Sequence, residues 1–302
     1  MNKIAVVVVT YNRLKLLKKC IYNLKNQRNV DIIVINNAST DETEKYIQSI
    51  KNEKIIYCNT GKNLGGAGGF SYGIKKAYEL NYEYVLVMDD DTMIQGETID
   101  ELTRAINEVK DFSFLACKVL WKDNNLCLMN KPKVSNNILE YHKYISDGII
   151  AVDSSSFVGC LINMKYVEKV GLPISEFFIW GDDVEFTTRL SKIAPGYLVS
   201  KSVVIHECAN NDSINIYNEK NIERIKRYKY LYRNRFYNFR KRGILGILKY
   251  FAILFRDLIY IILKGKYKLM KIAIVLKGFI LGIFFYPRIK MVSKNDNSKE
   301  KN

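Results

Sequence analysis

Six consecutive apolar residues, Ile4–Val9, follow Lys3; the run is too short to cross a bilayer and long enough for a strand buried on both faces. The spacing then becomes helical, with Leu14, Leu17, Ile21 and Leu24 three or four residues apart within Leu14–Gln27. The alternation continues through the first third of the chain. Strands are predicted at Ile4–Thr10, Asp31–Ile35, Lys54–Cys58 and Tyr84–Met88, and further helices at Thr43–Ile50, capped within Ser39–Asp41, and Ala67–Leu80. Strands alternating with helices of this length predict right-handed βαβ units, hence an α/β fold with a mainly parallel central sheet covered on both faces. From Ser113 to Gly196 the pattern is mixed, with strands at Phe114–Val119, Ile149–Val152 and Phe157–Ile162 and helices at Met164–Val170 and Asp182–Ile193.

Charge divides the chain. Residues 219–302 hold 22 Lys and Arg against 5 Asp and Glu, and residues 1–218 hold 25 against 26, so the net +16 splits into +17 and −1. This predicts a near-neutral catalytic domain over 1–218, a basic, aromatic-rich helical region over 219–289 and a flexible tail over 290–302. The six cysteines are dispersed without a CxxC pair, a pattern suited to a reducing cytoplasm.

In the basic region, Arg224, Arg227, Arg233 and Arg240 alternate with Tyr228, Tyr232 and Tyr237, and an apolar run from Ile244 to Tyr286 follows, interrupted by charges. A single helix over Lys249–Lys271 gathers Lys249, Arg256, Asp257, Lys264, Lys268 and Lys271 on one side, as in a helix lying in a membrane interface. Peripheral association with an anionic membrane surface at the cytoplasmic leaflet is the expectation, ahead of a buried helical domain, with a transmembrane hairpin third and nucleic-acid binding disfavoured.

In open α/β sheets ligands bind beyond the carboxyl ends of the strands. Polar clusters fall at three such ends: Thr10-Tyr11-Asn12-Arg13, Asn36-Asn37-Ala38-Ser39 and Asp89-Asp90-Asp91. Carboxylate oxygens suit Mg²⁺ or Mn²⁺, and alternate residues of an extended segment share a side, so Asp89 and Asp91 reach one ion while Asp90 points elsewhere. His206, after the apolar Ser202–Ile205, is a candidate to complete that shell; His142 reads as a surface residue. Trp180-Gly181-Asp182-Asp183-Val184-Glu185 places carboxylates at a helix start, where crowding raises proton affinity and the helix end lowers it, opposed effects that tune a general base. The loop Asn63-Leu64-Gly65-Gly66-Ala67-Gly68-Gly69 offers close backbone approach to an anion at a helix start, and it matches neither a Walker loop nor a dinucleotide fingerprint.

Taken in order, Val7–Arg13, Ile35–Asp41, Asn63–Gly69, Asp89–Asp91 and Trp180–Glu185 resemble the motifs of glycosyltransferase family 2 over about residues 3–210. The resemblance implies a GT-A fold, Rossmann-like with a mainly parallel sheet, and inverting transfer from a nucleotide sugar with Mn²⁺ or Mg²⁺ as cofactor. The Gly-Gly-Ala-Gly-Gly loop, the Asp triplet and the downstream His are most similar to bacterial galactofuranosyltransferases, which use UDP-galactofuranose; dTDP-rhamnose-dependent rhamnosyltransferases are the alternative.

By the same resemblance Thr10, Tyr11, Arg13, Asn36, Asn37 and Asp90 line the nucleotide, Gly65, Gly66, Gly68 and Gly69 lie along the donor, and Asp89, Asp91 and His206 hold the metal. Asp183 is the base, Asp182 and Trp180 position the acceptor, a glycan carried on a polyprenyl lipid, and Glu185 contacts it. Many relatives have Asp where this chain has Asn36. A nucleotidyltransferase is disfavoured for want of a glycine-rich basic loop after the first strand. A basic nucleic-acid- or lipid-binding protein without catalysis leaves the ordered carboxylates unexplained.

Overall fold

The computed structural model describes residues 3–50 and 52–292. The first half alternates β1 (Ile4–Thr10), α1 (Leu14–Lys25), β2 (Val30–Asn36), α2 (Thr43–Ser49), β3 (Ile55–Asn59), α3 (Gly65–Glu79) and β4 (Tyr84–Asp89). Then come β5 (Thr92–Ile94), α4 (Thr98–Glu108), β6 (Phe114–Trp121), β7 (Lys133–Val134), α5 (Ile138–His142), β8 (Ile149–Ser154), β9 (Cys160–Asn163), α6 (Met164–Val170), α7 (Asp182–Ser191) and β10 (Gly196–His206). Three helices close the described chain: α8 (Ile222–Arg240), α9 (Gly243–Lys264) and α10 (Lys268–Ile283).

All ten strands join one sheet in the order β3-β2-β1-β4-β9-β6-β10-β8-β7, with β5 on β10. Pairing is parallel through β3-β2-β1-β4 and between β6 and β10, and antiparallel where β9, β8, β7 and β5 enter. β1 shows why an unbroken apolar run is needed. Ile4, Val6 and Val8 join the core beneath α1, α2 and α4, while Ala5, Val7 and Val9 join the core beneath α3, α6 and α7.

The predicted strand at Phe157–Ile162 begins later, at Cys160, because Gly159 turns the chain with φ +74°. The helix predicted from Ala67 starts two residues earlier, at Gly65. It lies unusually close to the sheet: a Cβ on Gly69 would stand 2.5 Å from Val9 Cγ1, and one on Gly73 would stand 2.4 Å from Val7 Cγ1.

The helix expected over Lys249–Lys271 is instead two helices. α9 ends at Gly265, where a Cβ would stand 2.6 Å from Ile261 O, and Tyr267 reverses the chain with φ 56°. The polar side drawn for that single helix is also corrected, since Asp257 and Lys271 point into the protein. Asp257 accepts from Tyr232 and pairs with Arg235 and Arg256, and Lys271 Nζ donates to Tyr217 O. Of the predicted tail, Lys290–Val292 is docked: Lys290 O accepts from Leu172 N, and Val292 is buried beside α6. The remainder of the tail lies outside the described residues. His142 is exposed.

Candidate active site

The register of β10 assembles the acidic end of the site. His206 pairs with Thr92 across β5 and with Trp121 across β6, which sets its ring against Asp91 although 115 positions separate them. The ligating atoms of Asp89, Asp91 and His206 lie within 4.8 Å of one another. Asp91 Oδ1 is buried, accepts no hydrogen bond of standard geometry and stands 3.2 Å from His206 Nε2. His206 is its ion-pair partner, and a divalent cation is a further partner that its charge and position fit. His206 Nδ1 is 2.8 Å from Asn130 Oδ1, the contact that leaves Nε2 facing the carboxylates.

Asp90 turns away from this set, as the extended geometry predicts. Its Oδ2 accepts from Thr10 Oγ1 at 2.7 Å and its Oδ1 from Arg13 at 2.9 Å, while Arg13 also reaches Asp91 Oδ2 at 2.8 Å. Burial pushes the Asp89 carboxyl up to about 7, with Asp91 adding to it, and the Asp90 carboxyl up to about 6 against the pull of Arg13 and Thr10. Burial would also raise Asp91, but His206 and Arg13 hold it below the ordinary value. Burial works against a charge on His206, yet Asp91 carries its proton affinity up to about 12.

A second set approaches from α7. Burial pushes Asp183 up to about 6, offset by the backbone N–H groups of the helix start, with Val184 N donating to Asp183 Oδ1 at 2.7 Å. Asp182 is buried and raised well above its ordinary value by burial, then by Asp183 and Asp89. The loop that delivers this helix is strained. Ile179 N donates to Phe177 O across Phe178 at φ 64° and ψ −56°, which is a γ-turn of the rare form, and Trp180 and Gly181 follow at φ 67° and 87°.

That loop is clamped from two sides. Ala67 N donates to Phe178 O, and Gly65 is the only residue type that fits there, since a Cβ would stand 2.1 Å from the same oxygen. From the other side the buried Asn234 of α8 donates to Phe177 O, Ile179 O and Trp180 O.

A cleft of about 450 Å³ opens beside the first set, and its wall includes Arg13, Asp89, Asp91, Trp180 and His206. Its opposite wall comes from the chain after β10 and from the first turns of α8, with Glu219, Arg224, Arg227 and Tyr228. The Trp180 ring packs on Tyr228 with centroids 4.9 Å apart. The sequence offered Arg224 and Arg227 only as part of a basic surface, and it gave no sign of Asn234 or Asn130.

Several of the expected contact residues also have partners within the protein. Asn36 and Asn37 are buried and their amides hydrogen-bond to neighbouring loops. Asn36 donates to Tyr57 and accepts from Ser39 N; Asn37 donates to Gly65 O and accepts from Leu64 N and Thr60. They tie together the loops around the cleft. Glu185 is held by both oxygens to Arg189 at 3.0 and 2.8 Å and lines a depression with Val184, Tyr237 and Asn238. Of the loop glycines, Gly65, Gly68 and Gly69 serve close packing, and Gly66 alone has open space where a side chain would be. Tyr11 is exposed beside the cleft end of β1.

The model of the family "Glycosyl transferase family 2" matches residues 5–156. The chain is 27% identical over 237 residues to the GalNAc(5)-diNAcBac-PP-undecaprenol beta-1,3-glucosyltransferase of Campylobacter jejuni, covering 74% of this chain and 71% of that protein. It is 24% identical over 285 residues to the galactofuranosyltransferase GlfT1 of Mycolicibacterium smegmatis, covering 84% and 91%. To the dTDP-rhamnosyl transferase RfbF of Shigella flexneri it is 24% identical over 287 residues, covering 89% and 92%.

Among solved structures, S. aureus TarS 1–349 superposes with a TM-score of 0.55 at 17% identity, over 93% of this chain and 72% of that one. The mannosyltransferase PcManGT of Pyrobaculum calidifontis, described in complex with GDP-Man and Mn²⁺, superposes with a TM-score of 0.57 at 14% identity, over 93% and 87%. These two likenesses establish the GT-A fold. With the family match spanning half the chain, this protein belongs to glycosyltransferase family 2.

Proposed function

We propose that this glycosyltransferase moves galactofuranose from UDP-galactofuranose, with inversion, onto a hydroxyl of a polyprenyl-linked glycan, working at the cytoplasmic face of the cell membrane. The observation that carries the catalytic reading is the Asp89–Asp91–His206 set sharing one cleft with Trp180, with the buried Asp182 of α7 close enough to feel the charge of Asp89. The donor assignment is supported by the Asp triplet and glycine loop and by the relatives named for galactofuranosyl transfer. The lipid-linked acceptor is supported by the relative whose name specifies an undecaprenol-linked substrate.

The residues present suit a divalent cation, which supplies charge neutralisation on a leaving diphosphate when bound. Asp89, Asp91 and His206 would hold it, and Arg13 keeps Asp91 ionised for that task. Asp183 takes the proton of the acceptor hydroxyl; a carboxylate raised to about 6 is mostly ionised at neutral pH and still basic enough to accept. Asp182, buried beside it and facing Asp89, is the group that sets its charge environment. Trp180 offers an aromatic wall on which the acceptor sugar stacks.

Asp183→Asn keeps the shape of the site and removes the base. Transfer from UDP-galactofuranose to a synthetic lipid-linked acceptor is expected to fall by at least about a hundredfold while UDP binding stays within about twofold. Wild-type turnover in that variant removes Asp183 from the role. Faster transfer from dTDP-rhamnose than from UDP-galactofuranose by the wild-type enzyme replaces the donor assignment.

A further inference from the structure

α9 and α10 are apolar on two faces each. The inner stripe of α9, with Tyr250, Leu254 and Ile261, packs with α8 and α10 into one core. α10 runs along α8 at close range because Gly278 and Gly282 leave room; a Cβ on Gly278 would stand 2.7 Å from Lys229 O. Charges that fall on this inner side find partners there: Asp257 pairs with Arg235, and Lys271 donates to Tyr217 O.

The outer stripes are also apolar and have no partner among the described residues. On α9, Leu245, Leu248, Phe255, Ile259 and Ile262 recur at intervals of three, four and seven, and Leu245 is 76% exposed. On α10, Leu269, Leu276 and Ile280 continue the face at the same spacing, and Leu269 is 85% exposed, with Phe284 at 77% just beyond the helix. A helix that is hydrophobic all round is normally covered on every side, and a soluble surface rarely carries an apolar patch of this extent.

Charge selects the occupant. Residues 241–290 carry eleven Lys and Arg and a single acid, Asp257, which is buried. The rim of the apolar face is therefore cationic, and a second copy would meet it with the same charge. Neither helix is long and apolar enough to cross a membrane.

The position of the hairpin turn adds a direction. Tyr260, near the end of α9, packs its ring 5.0 Å from that of Tyr217, and Lys271, near the start of α10, donates to Tyr217 O. The neighbours of Tyr217, Asn215, Asn218 and Glu219, are wall residues of the catalytic cleft. The turn with its exposed Lys264, Lys266 and Lys268 thus stands beside the cleft.

We infer that the outer face of α9 and α10 lies in the surface of an anionic lipid membrane without spanning it, with the lysine-bearing turn placing the cleft at headgroup level. This rests on the lipid-linked acceptor proposed above and gives it a path: a diphosphate held among headgroups passes three lysines before it reaches the cleft. Apolar side chains supply the burial and the lysines supply attraction to anionic headgroups.

The test uses the full chain with vesicles of phosphatidylcholine, alone or mixed with phosphatidylglycerol. Strong partitioning onto the mixed vesicles and little onto the neutral ones is expected. Phe255→Glu with Ile262→Glu lowers partitioning by more than about tenfold, and charge reversal at Lys264, Lys266 and Lys268 by more than about a hundredfold. A Leu269→Trp reporter is quenched by brominated lipid, and a Tyr22→Trp reporter on the exposed side of α1 is not.

Nucleotide-dependent thermal stabilisation, measured in parallel, stays unchanged in both sets of variants, so failure of membrane docking and failure of the transferase reading are separate results. Equal partitioning of wild type and variants overturns the inference. So does a stable dimer in lipid-free solution that the Phe255 and Ile262 variant dissociates, because that gives the face to a second copy.

Discussion

Asn234 is the residue through which the helical region grips the catalytic loop, and Asn234→Ala tests that grip. Its side-chain nitrogen lies 2.9, 3.0 and 2.9 Å from the carbonyl oxygens of Phe177, Ile179 and Trp180, and it is 1% exposed. Two amide hydrogens serve three carbonyls, and Phe177 O has further donors in Ile179 N and Arg233. The loss therefore falls on Ile179 O and Trp180 O. A buried carbonyl left without a donor costs roughly 1–3 kcal/mol, so with two at stake the variant should lose up to about 2–6 kcal/mol in urea unfolding, less whatever the loop recovers by relaxing. The released loop also holds two non-glycine residues at positive φ, each storing on the order of 1–3 kcal/mol that relaxation would discharge. Trp180 and the start of α7 then leave their positions while the metal-ligating set does not. Initial rates should show kcat down by more than about tenfold, with KM for the nucleotide sugar within about twofold. A stability loss below about 0.5 kcal/mol together with an unchanged kcat would refute the clamp.

Other outcomes follow from packing and charge. Gly73→Ala sets a methyl 2.4 Å from Val7 Cγ1 and 3.0 Å from Ile35 Cγ1, so α3 must lift from β1; about 1–3 kcal/mol of stability should be lost, measured by urea unfolding. In chelator-treated protein the raised carboxyls, Asp89 at about 7 and Asp90 and Asp183 at about 6, favour folding where they are protonated. Their contribution is lost as pH rises through those values, so the metal-free protein should be more stable at pH 6 than at pH 8 by about 1–3 kcal/mol. Added Mn²⁺ should shrink that difference, and a difference of opposite sign would contradict the burial of these groups.

Much of the α/β half was legible because it follows local rules. The Ile4–Val9 run reads as a strand covered on both sides, α1 shows its helical spacing, and the Asp triplet directly follows an apolar strand. What stayed hidden depended on register and on which way a face turns. His206 was legible as a candidate ligand, but the pairing of β5 with β10 that brings it to Asp91 has no local pattern to announce it. Glu185 and the amides of Asn36 and Asn37 sit within recognisable motifs, yet tertiary partners claim them. The helical periodicity around Asp257 and Lys271 grouped them with Lys249, Arg256, Lys264 and Lys268, which are exposed, because periodicity shows neither the break at Gly265 nor which side meets the protein. Here that side meets α8 and the chain before it, and apolar residues face outward. Asn234 was invisible because a lone amide in a basic helix carries no signal until the strained loop beneath it is seen.

The central claim is that Asp89, Asp91 and His206 form a metal-assisted nucleotide-sugar site. Thermal unfolding of the purified protein with UDP, dTDP or GDP, each with and without Mn²⁺, tests it without an acceptor. A ligand at a hundred times its dissociation constant adds about 2.7 kcal/mol. The account predicts that UDP raises the midpoint by several degrees only when Mn²⁺ is present, and that His206→Ala removes the metal-dependent part. Stabilisation by UDP that ignores the metal, or no response to any of the three nucleotides, would contradict it.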